Sequence, residues 1–311
     1  MPGGASIFGL HWLTCFQLLA YGENLRYNDV TLAKESDDYM RTAAFIGTGN
    51  MGGALAQAAC RGISPAEVIL TNRSHEKADS LARSLGCVAA ISNEAAIRSA
   101  TYIFLGVKPQ AYGELAKELT PVLQSCHQAG QDKVLISMAA GLTLSTLKGL
   151  YSEVGYDIPI LRIMPNTCVT IGKGVVALAG EDETHLAAVE RILSAAGLVE
   201  RLPEHLLDAF TSVAGCGPAF VYPYIEALAD GGVMAGLPRD SALRYAAQTV
   251  LGAAAMVLET GKHPGQLKDE VCSPGGSTIA GVAELERCGL RNAATSAVLA
   301  SWERNKELGK T

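Results

Sequence analysis

Hydroxyl side chains flank a pair of glycines near the far end of the chain, in the run Ser-Pro-Gly-Gly-Ser-Thr. Two glycines after a proline let the backbone turn sharply and leave its amides unshielded. A helix is predicted directly behind them, and the amides at a helix start attract small anions. The stretch is therefore suited to binding a small carboxylate, although an ordinary capped helix start has the same composition. The residues of this predicted carboxylate site are Ser273, Gly275, Gly276, Ser277 and Thr278.

A second stretch suited to chemistry lies in the first third of the chain, where Gly-x-Gly-x-x-Gly stands between a predicted strand and a predicted helix. The apolar run 42–47 predicts the strand and 54–60 the helix. In that context Gly47 permits a tight turn, Gly49 lets a pyrophosphate approach the backbone, and Gly52 lets helix and strand pack closely. The motif therefore predicts dinucleotide binding.

The end of the next predicted strand, 67–71, indicates which dinucleotide is bound. NAD-specific folds place a carboxylate there to accept hydrogen bonds from the ribose, whereas this chain has Asn72-Arg73-Ser74. A guanidinium, an amide and a hydroxyl would bind a 2′-phosphate. The sequence favours NADPH, with NADH as an alternative donor; the competing interpretation is a solvated loop with an unrelated arginine.

Two more segments follow predicted strands, at the edge where such sheets hold their ligands. Val107, Lys108 and Pro109 end the strand 101–107, so they are expected along the cofactor, with Lys108 near a phosphate or ribose. Pro109 is equally explained as a helix start. The small residues after the strand 133–137 leave room for a flat ring; this second segment comprises Met138, Ala139 and Ala140.

A reduced nicotinamide delivers hydride to a carbonyl or an imine. Reducing a ketone creates an alkoxide and needs a strong proton donor, often Lys or His. The helix that carries such a Lys in hydroxyacid dehydrogenases corresponds here to 217–232, which contains neither Lys nor His. A protonated imine already carries its proton, so a hydroxyl such as that of Thr278 suffices. The sequence therefore favours an imine substrate and ranks a hydroxyacid dehydrogenase lower.

The predicted elements that position these residues fall into two sets. Strands and helices alternate up to about Pro203, and from there on all predicted segments are helical. We predict an α/β protein: an N-terminal Rossmann domain with a doubly wound, mostly parallel sheet, followed by an all-α dimerisation domain. A helix predicted over 239–259 is apolar around much of its circumference, which indicates burial against a second subunit. The predicted units are 1–39 (an extension, disordered or not native), 40–203 (the NADP(H)-binding domain) and 204–311 (the helical substrate-binding and dimerisation domain).

Composition narrows the class of protein further. The 311 residues carry a net charge of −6, which argues against nucleic acid as a partner. The eight cysteines lack metal-ligand spacing, so no metal site is expected, and reduced thiols in the cytoplasm are favoured. The apolar run 7–20 has no basic residue before it and is too short for a membrane span, so no membrane association is expected. Met40 is hypothesised to be the natural start.

The ordered motifs resemble those of the pyrroline-5-carboxylate reductase family from about Arg41 to Leu308. The most specific match is the run 263–279, HPGQLKDEVCSPGGSTI, and the further matches are at 45–51, 107–109, 137–141, 162–167 and 227–232. The resemblance implies NAD(P)H-dependent reduction of 1-pyrroline-5-carboxylate to L-proline, the last step of proline biosynthesis. It also implies a homodimer whose active site includes the partner's helices, and many members form pentamers of dimers.

The resemblance carries residue roles over to this chain. Thr278 would act at the ring nitrogen of the substrate, and Ser277 would bind the substrate beside it. Some members have a Glu where this chain has Gly261, so an amine contact made by that Glu is in doubt, and Glu270 is an unproven substitute. The implied cofactor contacts are Ile46, Gly47, Thr48, Gly49, Asn50 and Met51 at the pyrophosphate; Ser74 and Asn93 at the adenosine ribose; and Val107, Lys108, Pro109, Met138, Ala139 and Ala140 at the nicotinamide.

Two alternatives to a proline-forming enzyme stay open on the sequence. One is an enzyme for a related cyclic imine, such as the six-membered piperideine-2-carboxylate, because pocket size cannot be read from residues. The other is a non-catalytic NADP(H)-binding protein on the same scaffold. Retention of both the glycine motif and the SPGGST run argues against the second.

Overall fold

The computed structural model describes residues 41–308, so the expectations for residues 1–39 lie outside the described part of the chain. Alternating apolar runs and helical segments build one eight-stranded sheet within that part. The strands are β1 (Arg41–Ile46), β2 (Val68–Thr71), β3 (Val88–Ala89), β4 (Ala100–Leu105), β5 (Val134–Ser137), β6 (Ile160–Pro165), β7 (Gly174–Ala179) and β8 (Gly197–Arg201).

The sheet has the order β3-β2-β1-β4-β5-β6-β7-β8. Neighbouring strands are parallel except β6 and β7, which are antiparallel. Strand order reverses between β1 and β4, whose last residues Ile46 and Leu105 are paired in register. Such a reversal opens a crevice beyond the carboxyl ends of the strands, where ligands bind. The predicted doubly wound, mostly parallel sheet is confirmed, and the glycine motif directly follows β1 at this crevice.

Helices cover both faces of the sheet because alternate strand side chains point to opposite sides. Ala44 and Ile46 of β1 lie in one buried apolar cluster, whereas Ala43 and Phe45 lie in another. The strand β3 is a two-residue element that apolar periodicity did not predict. The covering helices are α1 (Asn50–Gly62), α2 (His75–Leu85), α3 (Asn93–Ser99), α4 (Tyr112–Gln128), α5 (Leu144–Leu150) and α6 (Glu183–Ile192).

From Glu204 onward the described chain is helical, as predicted, with one irregular region at its start. There a 3-10 turn at Glu204–Leu206 leads into a short α7 and then a π-helical turn at Thr211–Gly215. The Asn166 amide from the sheet domain donates to the Ala214 carbonyl of this π-helical turn at 3.0 Å, a contact that local propensity does not reveal. The helices are α7 (Leu207–Phe210), α8 (Gly217–Met234), α9 (Arg239–Thr260), α10 (Pro264–Glu270), α11 (Ser277–Arg287) and α12 (Leu290–Leu308).

These helices leave much apolar surface uncovered within a single chain. α8 packs against α9, but the buried apolar cluster between them has only Ala229, Ala242 and Ala246 as its fully buried members in the described chain. Leu251 and Leu258 of α9 are 54% and 81% exposed. Despite this apolar surface, no helix within residues 41–308 is both long enough and apolar enough to cross a bilayer. The exposed apolar surface is that expected of a helical dimerisation domain.

Candidate active site

The turn after β1 is tight enough to require glycine at three positions. Gly47 has a φ of +89°, and its amide donates to the Thr71 carbonyl over 2.9 Å. A Cβ on Gly52 would lie 2.1 Å from the Gly47 carbonyl oxygen, and a Cβ on Gly106 would lie 2.3 Å from the same atom. The sequence prediction assigned the first two glycines and missed Gly106, which directly follows β4. The sequence feature that could have identified Gly106 is a glycine at the end of a predicted strand, which often marks the close approach of another backbone segment.

The surroundings of this turn fit the pyrophosphate of a dinucleotide. An added Cβ at Gly49 would meet no atom within 4 Å, so space is open beside its backbone. Gly49 is the N-cap of α1; the first turn of α1 contains no acidic residue, and no side chain caps it. The Thr48 Oγ1 atom is buried and has no hydrogen-bond partner among the described residues. Open helix amides and an unsatisfied hydroxyl are the groups that an anionic ligand satisfies.

The residues predicted to bind the adenosine ribose lie at the end of β2. Arg73 and Ser74 are exposed there, and the Ser74 hydroxyl makes no capping bond to α2. Asn93 is nearby, because its Oδ1 accepts from the Thr71 hydroxyl at 3.2 Å while its Nδ2 donates to Glu118 at 2.9 Å. Each amide atom retains capacity for one further bond. The structure therefore brings Arg73, Ser74 and Asn93 together at the end of β2. It also places Glu118 beside Asn93, a residue that the sequence motifs did not indicate.

The two segments predicted to line the nicotinamide also meet at one edge of the sheet. They follow β4 and β5, neighbouring strands whose last residues Leu105 and Ser137 are paired. Lys108 and Ala140 are exposed at that edge, whereas Ala139 is 3% exposed. Lys108 is the N-cap of a 3-10 turn at Pro109–Ala111, so the prediction that Pro109 starts a helix is confirmed.

The predicted carboxylate site is a glycine turn between α10 and α11. Gly275 has a φ of +65°, and a Cβ on Gly276 would lie 2.5 Å from the Ser273 hydroxyl oxygen. Gly276 is the N-cap of α11, which has no side-chain cap. Ser277 and Thr278 occupy the first turn of α11 and are exposed. The turn thus presents open amides and two hydroxyls together, which is the chemistry that a carboxylate requires.

The cofactor turn and the carboxylate site lie in different halves of the described chain. α11 packs against α12, and none of the strands β1 to β8 packs substantially against α11 within residues 41–308. Thr278 is therefore placed by the helical domain alone, whereas the glycine turn is placed by the sheet.

Gly261, for which the family resemblance implied a Glu in some members, has its own geometry. Gly261 ends α9 with a φ of +66°, a left-handed conformation that a Glu would adopt only with strain. The suggested substitute Glu270 accepts from Lys262 at 2.8 Å and from Gln266 at 3.2 Å. The hydrogen bond from Lys262 holds the pKa of this carboxyl below its ordinary value. Glu270 is thus already engaged on the surface of its own helix.

A largely buried ion pair joins the sheet to the helical half. Arg162 of β6, whose side chain is 6% exposed, donates to Glu204 at 2.8 Å. The same carboxylate oxygen accepts from the Leu144 amide at 2.6 Å, at the start of α5. A cavity of about 520 Å³ lies beside the pair and is also lined by Asp208 and Lys306. This contact fixes α5, and the loop before it, to the beginning of the second domain.

Comparison with known proteins covers both halves. The family model described as "Pyrroline-5-carboxylate reductase dimerisation" matches residues 204–308. The one described as "NADP oxidoreductase coenzyme F420-dependent" matches residues 42–141. The pyrroline-5-carboxylate reductase of Pisum sativum is 42% identical over 279 residues, covering 88% of this chain and 97% of that protein. That of Methanosarcina acetivorans is 41% identical over 271 residues, covering 86% and 97%.

Solved structures agree with this fold assignment. A Plasmodium falciparum pyrroline carboxylate reductase with NADP bound is 31% identical, with a TM-score of 0.74 and coverage of 86% of this chain and 98% of that one. A pyrroline-5-carboxylate reductase from Coxiella burnetii is 31% identical, with a TM-score of 0.78 and coverage of 88% and 100%. On the sequence relationship and the shared two-domain fold, this chain belongs to the pyrroline-5-carboxylate reductase family.

Proposed function

We propose that this chain uses NAD(P)H to reduce the C=N bond of 1-pyrroline-5-carboxylate, giving L-proline in the last step of proline biosynthesis. The observation that carries the proposal is that this chain, a member of this family, has both an open glycine turn and an exposed Gly-Gly-Ser-Thr helix start. The first suits a dinucleotide and the second a small carboxylate.

The cofactor role is assigned to the residues at the carboxyl edge of the sheet. When bound, the reduced nicotinamide supplies a hydride. The turn Ile46–Met51 would hold the pyrophosphate, and Ser74 and Asn93 the adenosine ribose. Arg73 supports a preference for NADPH, because an exposed guanidinium at the end of β2 attracts a 2′-phosphate. The nicotinamide side would be lined by Val107, Lys108, Pro109, Met138, Ala139 and Ala140.

The substrate role is assigned to the turn before α11. The open amides and the Ser273 and Ser277 hydroxyls would hold the carboxylate, and the Thr278 hydroxyl would hydrogen-bond the ring nitrogen. The protonated imine carries a positive charge that hydride addition at carbon neutralises, so nitrogen keeps its proton in the product. Thr278 therefore has to orient the ring and does not need to be a strong acid.

The helical domain has exposed apolar surface that a second copy of the chain would cover. Because α11 packs within the helical domain and apolar surfaces of α9 are exposed, we infer that a second copy covers these helices and completes the site. A homodimer is the smallest assembly that does so, and a pentamer of dimers is the larger form. Domain limits of 40–203 and 204–311 follow the change from sheet to helices. The seven described cysteines are free thiols, which supports a reducing compartment such as the cytoplasm.

An NADPH-oxidation assay tests the proposal directly. The purified chain is mixed with NADPH and either 1-pyrroline-5-carboxylate or the six-membered piperideine-2-carboxylate. We expect substrate-dependent oxidation of NADPH with the five-membered imine at a higher kcat/KM than with the larger one. A higher kcat/KM for the six-membered imine would reassign the substrate, and no oxidation with either imine would contradict the proposed activity.

A further inference from the structure

Two buried hydroxyls lie directly beneath the edge assigned to the nicotinamide. The Tyr112 hydroxyl, on the first residue of α4, donates to the Leu105 carbonyl at 2.8 Å. The Ser137 hydroxyl donates to the Tyr112 oxygen at 3.0 Å, and the Ser137 oxygen accepts from the Ala139 amide at 3.3 Å. Tyr112 and Ser137 are each 1% exposed. These bonds form one connected chain, termed here the Tyr112–Ser137 bridge.

The bridge connects the two segments that follow β4 and β5. Leu105 is the last residue of β4, and Tyr112 closes the loop that contains Lys108. Ser137 is the last residue of β5, and Ala139 belongs to the next segment. Sheet pairing holds the strand ends Leu105 and Ser137 side by side, and the bridge adds a side-chain link between the two segments that follow them. The Tyr112–Ser137 bridge therefore braces the spacing of the two loops beyond the paired strand ends.

The protonation state of Tyr112 allows the bridge to persist at neutral pH. Burial raises the pKa of Tyr112 to about 12, although hydrogen bonds from Ser137 and from the neighbouring amides lower it in part. The phenol therefore keeps its proton and remains a donor at neutral pH. Removing the phenol oxygen would leave the buried Leu105 carbonyl without this donor and the Ser137 hydroxyl without this acceptor, and unsatisfied buried groups are costly.

We propose that Tyr112 and Ser137 are positioning residues that hold the two nicotinamide-lining loops at the spacing the ring requires. This inference rests on the proposed function, because it takes the edge beyond β4 and β5 as the place of the ring. Neither side chain is proposed to touch the cofactor. Their loss is expected to weaken cofactor binding and hydride transfer while leaving the distant carboxylate site unchanged.

The chain offers a matched control in Tyr151. This tyrosine is also 1% exposed and belongs to the same buried apolar cluster as Tyr112. Its hydroxyl has no hydrogen-bond partner among the described residues. Tyr112→Phe and Tyr151→Phe therefore remove the same atom from similarly apolar surroundings, but only the first breaks the bridge.

The test compares the wild-type chain with Tyr112→Phe, Ser137→Ala, the double variant and Tyr151→Phe. The readouts are the NADPH dissociation constant from fluorescence titration, the KM for each substrate, kcat and the thermal midpoint. For Tyr112→Phe we expect a rise of roughly fivefold to thirtyfold in the NADPH dissociation constant, the scale of one lost buried hydrogen bond. Its KM for the imine should stay within about twofold, as should all constants of Tyr151→Phe. The double variant should bind NADPH about as weakly as the weaker single variant, because both changes break one bridge.

An NADPH dissociation constant for Tyr112→Phe no higher than that of Tyr151→Phe would overturn the inference. If Tyr112→Phe does not fold, Ser137→Ala decides on the same readouts. If wild-type protein binds NADPH but does not reduce the imine, the proposed function fails, and the binding comparison still decides the role of the bridge. If wild-type protein binds neither NADPH nor NADH, both the proposed function and the inference are wrong.

Discussion

Thr278 presents its hydroxyl on the exposed first turn of α11, directly after a glycine turn whose amides are open. If this hydroxyl orients the ring nitrogen, Thr278→Ala lowers kcat by about one to three orders of magnitude, the scale of one orienting or acid–base group. Thr278→Ser keeps the hydroxyl and is the control. Steady-state kinetics with 1-pyrroline-5-carboxylate provide the measurement. Turnover near the wild-type value in Thr278→Ala would remove this residue from the mechanism.

Arg73 provides the second test at the residue scale. Its exposed guanidinium stands where NAD-specific folds have a carboxylate. Arg73→Ala should lower kcat/KM for NADPH by about tenfold to a hundredfold, because a charge-assisted contact to the 2′-phosphate is lost. The value for NADH should change by less than about twofold. Arg83→Ala, which removes an exposed charge paired with Asp79 on α2, is the control. An equal loss of kcat/KM with NADPH and with NADH would show that Arg73 does not bind the 2′-phosphate.

At the scale of elements, the packing of α1 against β1 depends on a glycine that has no room for a side chain. A Cβ on Gly52 would lie 2.1 Å from the Gly47 carbonyl, whereas a Cβ on the adjacent Gly53 would meet Leu81 at an ordinary 3.4 Å. Gly52→Ala should therefore lower the free energy of unfolding by about 1–3 kcal/mol through overpacking, and should weaken NADPH binding.

Gly53→Ala is the matched control for that change. It adds the same methyl group one position along the same helix, where Ala is favoured over Gly by up to about 1 kcal/mol. Denaturant unfolding and NADPH titration of both variants provide the comparison. Equal stability of the two variants would contradict the close helix–strand approach that the motif requires.

The sequence predicted the elements well where their signals are local. The β1 strand and the glycine turn follow from an apolar run and three spaced glycines, and the helix predicted over 54–60 is present but begins earlier, at Asn50. The start of α10 is likewise local, because the ring of its N-cap His263 accepts from the Gly265 amide. The π-helical turn at Thr211–Gly215 was not predicted, because the Asn166 contact that holds it comes from residues 48 positions away.

At the scale of the whole molecule, the apolar helices of the second domain lack cover in one chain. Leu251 of α9 is 54% exposed. If a second copy covers it, Leu251→Glu places a charge in the interface and should dissociate the assembly in sedimentation experiments. Because the proposed site needs the partner, kcat/KM should also fall by about tenfold or more.

Leu198→Glu is the control for that prediction. Leu198 is 55% exposed and lies in β8, at the end of the sheet away from the glycine turn, so the same substitution should leave the assembly and the activity unaltered. An unchanged sedimentation profile for Leu251→Glu would contradict an interface on that part of α9. If Leu251→Glu abolished activity but left the assembly intact, Leu251 would affect the active site without holding the subunits together.

The placement of the whole site could not be predicted from local patterns. Motifs identified the glycine turn, the Arg73 loop and the SPGGST turn, because each depends on neighbouring residues. They did not show that Gly106 packs against the Gly47 carbonyl, since the two are 59 positions apart and meet only through sheet pairing. They also did not reveal the ion pair between Arg162 and Glu204, which joins the two domains.

Isotope transfer from the cofactor to the product tests whether this protein carries out the proposed hydride transfer. The wild-type protein is incubated with 1-pyrroline-5-carboxylate and NADPH deuterated at both hydrogens of nicotinamide carbon 4, and the product is analysed by mass spectrometry and NMR. We expect L-proline carrying deuterium on the ring carbon that was doubly bonded to nitrogen, because the hydride passes directly from cofactor to imine. Proline without deuterium at that carbon, or no proline at all, would contradict this expectation.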